Sequence, residues 1–128
     1  MNGVMKKELS STYDQALAAI PGALALEGFG VLTEIDVKDV LKKKLGVEHR
    51  RYRIVGACNP ALAHRALEIN LEVGVALPCN VVLYEQDDGR AVVLAIDPAQ
   101  SLAAADPRLS ELAAIVRGKL GRVLEHLA

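Results

Sequence analysis

Tryptophan is absent, and aromatic residues make up only 3% of the 128 residues. That scarcity removes the stacking platforms on which single-stranded nucleic acids are bound. The net charge is −1, from 15 basic and 16 acidic residues, so there is no basic field to draw a polyanion. No nucleic-acid partner is expected. No uncharged apolar run approaches the ~20 residues a membrane span needs. Met1 to Glu8 has no apolar signal core. A cytoplasmic chain with no membrane partner is the expectation. Linkers rich in proline, glycine or serine are missing too, as are low-complexity tracts, so residues 1–128 are expected to form a single domain. Cysteine occurs only twice, as Cys58 and Cys79. In a reducing compartment a permanent disulfide is disfavoured. Core packing, metal ligation and thiol chemistry remain open for the pair.

Apolar residues are plentiful at 52%, and their spacing shows the elements. Val4 to Leu9 is a short strand. Thr12 and Gln15 form a capping box ahead of a helix carrying Tyr13, Leu17, Ile20 and Leu24 at helical spacing. Pro21-Gly22 is expected to kink or break that helix, because proline lacks a donor and crowds the preceding turn. Val31 to Ile35 alternates as a strand. Asp36 can cap a short helix that ends in Lys42, Lys43, Lys44 and Gly46, with lysines suited to the negative end of the helix dipole. Tyr52 to Ala57 is a strand. Asn59-Pro60 then starts a helix, as cap and first residue. Asn80 to Glu85 and Arg90 to Ile96 form a hairpin across Gln86-Asp87-Asp88-Gly89. Asp97-Pro98 looks like a turn, and Asp106-Pro107 opens the last helix. The four-residue hairpin turn argues against a doubly wound parallel sheet. The expected class is α+β: one antiparallel-rich sheet of about five strands packed by helices, with short inserted helices.

The chemistry-bearing feature is an echo. Gly56-Ala57-Cys58-Asn59-Pro60 follows one strand, and Leu77-Pro78-Cys79-Asn80-Val81 opens another. Each cysteine is followed by asparagine and flanked by proline. Cys58, Asn59, Cys79 and Asn80 are the candidate ligand-binding residues, with Glu34 and Asp97 beside strand ends as further candidates. Cys58 precedes a helix start, where free amides favour a thiolate. Cys58 as nucleophile, Cys79 as resolving thiol and His64 or Arg53 as charge-tuning groups make up a candidate catalytic set. Cys58, Cys79 and His64 are the candidate metal ligands, although twenty residues separate the cysteines and a tetrahedral site needs a fourth donor. Both cysteines could equally be small buried hydrophobes. No Ser-His-Asp pattern, phosphate loop or H-E-x-x-H motif occurs. Nothing in the sequence specifies a cofactor.

Glu27 to Val37, Tyr52 to Pro60 and Leu77 to Val81 resemble the signatures of the domain-of-unknown-function 302 family, and Asp97-Pro98 falls where that family has an Asp-Pro. The resemblance runs from about Val4 to Leu127. It implies a β-α-β(4)-α domain of TATA-binding-protein-like type and a homodimer, and it implies no activity. Relatives of that fold hold apolar ligands between sheet and helix, which keeps a small-molecule ligand in view by analogy.

Overall fold

A computed structural model describes residues 1–128. Five strands form one antiparallel sheet in the order β1-β5-β4-β3-β2. They are β1 (Val4–Thr12), β2 (Gly30–Asp36), β3 (Tyr52–Cys58), β4 (Cys79–Glu85) and β5 (Arg90–Ile96). Five helices punctuate them: α1 (Tyr13–Leu26), α2 (Val37–Leu45), α3 (Pro60–Ile69), α4 (Pro98–Ala105) and α5 (Ser110–Glu125). Turns of 3-10 helix occupy Leu71–Ala76 and Pro107–Leu109.

Strand alternation builds the core. Val55 and Ala57, Cys79, Val81 and Leu83, and Ala91, Val93 and Ala95 point to one face, because successive side chains in a strand alternate. Ile20 and Leu24 of α1, Ala66 of α3, and Leu112, Leu120 and Val123 of α5 bury against them in one cluster of 27 residues. The opposite face carries Val4, Ile54, Val82, Leu94 and Ile96, all half-buried. Tyr52 stacks on Tyr84 there, with ring centroids 5.8 Å apart.

Four expectations are corrected. α1 is one 14-residue helix with Pro21 inside it. Interior proline costs ~3 kcal/mol, but Pro21 lies on the exposed side, while Ala16, Ile20, Ala23 and Leu24 are buried on both sides of it. Burial of a large aliphatic side chain is worth about 1.5–3 kcal/mol, so these contacts outweigh the break. β1 continues past Leu9 to Thr12, through an irregularity in its pairing with β5. Asp97-Pro98 starts helix α4 and no mere turn: Asp97 accepts from Ala99 N at 3.0 Å. The last helix is entered through a 3-10 turn that Asp106 caps.

The two sheet edges differ. Along β1, Ser11 N donates to Ala128 O, and Lys7 Nζ donates to Leu124 O at 3.0 Å. The C-terminal end of the chain thus touches that edge at Ser11. β2 is the other edge; six of its seven residues are exposed. α2, which follows it, has no buried residue.

Candidate functional site

Cys58 ends β3 and Cys79 begins β4. The register sets Ala57 opposite Cys79, so Cys58 lies one residue beyond that pair, at the same end of the sheet. Both line one apolar cavity of about 30 Å³ between the sheet and the helices. Phe29, Leu62, Ala66, Leu102 and Leu112 close it. A cavity needs roughly 10–15 Å³ to hold one water, and metabolite pockets run to roughly 300 Å³ or more. The space therefore fits an atom-sized occupant and no metabolite. Cys79 is 6% exposed and Cys58 is half-buried. Burial, and next the charge of Cys58, push the Cys79 thiol up to about 11. At neutral pH Cys79 is a thiol.

Asn59 is occupied structurally. Its side chain accepts from Leu62 N at 3.3 Å as the N-cap of α3, and its amide donates to Glu27 O at 3.3 Å. It thereby ties the loop after α1 to the start of α3. Gly28, at φ +80°, leaves room for it: a Cβ there would lie 2.9 Å from Asn59 Nδ2.

The other candidates stand apart from the cavity. Asn80 follows Cys79 and so faces the other side of the sheet, exposed and opposite Gly56. Asp97 is buried, caps α4 and accepts from Arg117 Nε at 3.1 Å. His64 sits on the outer side of α3, 76% exposed and 3.5 Å from Glu68; the buried side of that helix presents Leu62 and Ala66. His64 does not join the cysteines, and no group of three or more His, Cys, Asp or Glu side chains is placed to hold a metal ion. The three-ligand set expected from sequence is not assembled.

Arg53 lies near the opposite end of β3 from Cys58 and does not tune it. Its Nη1 donates to Glu34 Oε1 at 2.6 Å, and its Nη2 lies 3.5 Å from Asp36 Oδ2. A bulge between Val31 and Thr33 sets Glu34 on the same side of β2 as Val31, where simple alternation had put them on opposite sides. Arg51 lies 4.2 Å above the ring of Tyr13 and pairs with Asp14. Burial raises the Tyr13 phenol above its ordinary range. Sequence reasoning missed this charge lattice. Its signal was the period-two spacing of Glu34 and Asp36 on one strand and of Arg51 and Arg53 at the next.

The fold and cavity define a two-layer α+β domain with a single open sheet. Residues 5–127 match the family model described as "Domain of unknown function DUF302". The chain belongs to that family. It is also similar to a solved structure titled as that of an uncharacterized conserved DUF302 protein from Bacillus stearothermophilus. The two share 30% sequence identity over the whole of both chains, with a TM-score of 0.90. No curated protein matches the chain.

Proposed function

We propose that this domain is a homodimeric binding module whose site is the cavity between Cys58 and Cys79. One observation supports the site: Cys58 and Cys79, from different strands, both belong to the lining of one small apolar pocket. The ligand is atom-sized, because nothing larger fits. Asn59 lines the cavity too, yet both ends of its amide are already bonded, so the sulfurs supply the chemistry. A thiol enzyme is supported less well, since a resolving thiol pushed up to about 11 is a poor nucleophile at neutral pH.

The test is labelling with thiol reagents of graded size on folded, reduced protein. Methyl methanethiolsulfonate should modify Cys58, with bulky maleimides reacting far more slowly. Failure of every reagent without unfolding would mean closed packing and would sink the site.

A separate observation supports the dimer. Of the large apolar residues that are exposed, Val31, Leu32, Ile35, Val40 and Leu45 belong to β2 and α2, and Val47 follows directly after. Concentrated exposed apolar surface marks an interface, and an open strand edge is a template for pairing. Sedimentation equilibrium should find a dimer, and Leu32→Asp should shift it to monomer with an unchanged circular dichroism spectrum. A wild-type monomer at roughly 100 μM, far above the dissociation constants of stable dimers, would refute the dimer.

A further inference from the structure

We propose that α2 of one copy of this chain docks on the outer sheet face of a second copy, and reciprocally, so that each protomer gives a helix and receives one. The inference rests on the dimer proposed above and names what its helix touches.

α2 is the first half of the contact. Val37, Val40, Leu41 and Leu45 recur at i, i+3, i+4 and i+8, which sets them on one side of the helix. None of the nine residues is buried; Val40 is 42% exposed and Leu45 69%. α1, α3, α4 and α5 each send side chains into the core cluster, and α2 sends none. A helix this short is marginal in water, and most helical stability in proteins comes from packing of the apolar side. α2 is nonetheless finished at both ends. Asp36 caps its start, Lys43 pairs with Asp39 one turn away, and Gly46 closes it in the left-handed region.

The outer sheet face is the second half. Pairing sets Ile35, Ile54, Val82 and Leu94 in one row across β2, β3, β4 and β5. The stacked rings of Tyr52 and Tyr84 border the row on one side. The helices of the core cluster lie against the opposite face. Neighbouring strands are ~4.8 Å apart, so the row is ~14 Å long. At a rise of ~1.5 Å per residue, α2 is ~13.5 Å long. The helix matches the row it would cross.

Area supplies the occupant. A stable interface engages roughly 20–30 residues a side. The nine residues of α2 and the seven of β2 fall short of that alone, and the outward residues of β3, β4 and β5 make up the difference. A second copy carries both surfaces at once. A two-fold axis makes the two helix-to-sheet contacts identical and closes the pair.

The experiment is sedimentation equilibrium of the full chain with two single variants, Leu45→Lys on α2 and Val82→Lys on the sheet. Both positions lie outside the core cluster, and lysine suits the last turn of a helix, so circular dichroism should be unchanged. Each variant should weaken the dimer by ~100-fold, about 10-fold for each of its two damaged contacts. An equimolar mixture of the two should recover a dimer only ~10-fold weaker than wild type. In the mixed pair both substitutions fall in the same contact, where their effects do not add, and the other contact is wild type. If Val82→Lys fails to fold, Val82→Thr replaces it, keeping the branched shape and adding a hydroxyl. A variant that dimerises as the wild type does, or a mixture without recovery, would overturn the docking of α2 and leave the dimer standing. A wild-type monomer at roughly 100 μM would overturn both.

Discussion

Alanine at position 56 would place a methyl group where the sheet has no room for one. Gly56 sits in β3, with Thr33 of β2 on one side and Pro78, just before β4, on the other. A Cβ at Gly56 would overlap Thr33 Oγ1 outright and lie 2.7 Å from Pro78 Cγ. Thr33 is exposed and can turn its hydroxyl away by rotation about χ1. The Pro78 ring has no such freedom, so relief requires a shift of the backbone that leads into Cys79. Overpacking of this kind costs about 1–3 kcal/mol. The lost flexibility of glycine in the unfolded chain returns about 0.4–1 kcal/mol. Gly56→Ala should therefore lower stability by about 1–2 kcal/mol in urea unfolding. For a domain of this size that is a fall in Tm of roughly 3–10 °C. Thr33→Ala added to Gly56→Ala should recover part of the loss, the part owed to the hydroxyl. A Gly56→Ala variant as stable as the wild type or more so would refute the reasoning, since the clash would then cost no more than the unfolded-state gain returns.

Other outcomes follow from the same geometry. The Cys79 thiol is pushed up to about 11 from an ordinary value near 9. The unfolded chain therefore releases this proton first, and stability should fall between pH 9 and 11 by roughly 2–3 kcal/mol in total. Urea midpoints of wild type and Cys79→Ala should converge over that window, and a constant gap would contradict the burial of Cys79. Asp97→Ala removes the cap of α4 and should lose about 1–2 kcal/mol by thermal unfolding. Asp97→Asn keeps a capping oxygen and gives up only the ion pair to the 54%-exposed Arg117, so it should stay within about 1 kcal/mol of wild type. Equal losses in the two variants would show that the ion pair, and not the cap, holds α4.

Legibility in the sequence followed the strength of local signals. Thr12 with Gln15, Asp36, and Asn59 with Pro60 each mark a helix start, and each side chain makes its capping bond. Gly46 ends α2 at φ +67°, behind three lysines. The hairpin of β4 and β5 follows from alternation and its turn residues. Where tertiary contacts overrode a local rule, the sequence misled. Pro21 breaks a helix on paper, but with burial on both sides α1 runs on through it as one helix. Asp97-Pro98 has the same grammar as Asn59-Pro60, yet the alanine-rich run behind it shows no apolar stripe, so α4 was read as a turn. Simple alternation puts Glu34 opposite Val31, Thr33 and Ile35; it holds for Thr33 and Ile35 and fails for Val31, because one bulged residue lies between them.

The doubled Cys-Asn motif shows how far a sequence echo can be trusted. The same two residue types occupy different geometry at each occurrence. Cys79 and Asn80 are consecutive within a strand, so one enters the core and the other faces outward opposite Gly56. Cys58 and Asn59 fall where a strand gives way to a helix. Both residues belong to the lining of the cavity. The prolines diverge likewise: Pro60 occupies the first turn of α3, and Pro78 packs over Gly56. The cysteines come to the same end of the sheet, Cys79 opposite Ala57 and Cys58 opposite Gly30. A ligand that used all four residues would need atoms from both faces of the sheet at once, which its backbone forbids. Folding therefore keeps both cysteines at one pocket while it parts the asparagines, one to the cap of α3 and the other to the outer face of the sheet.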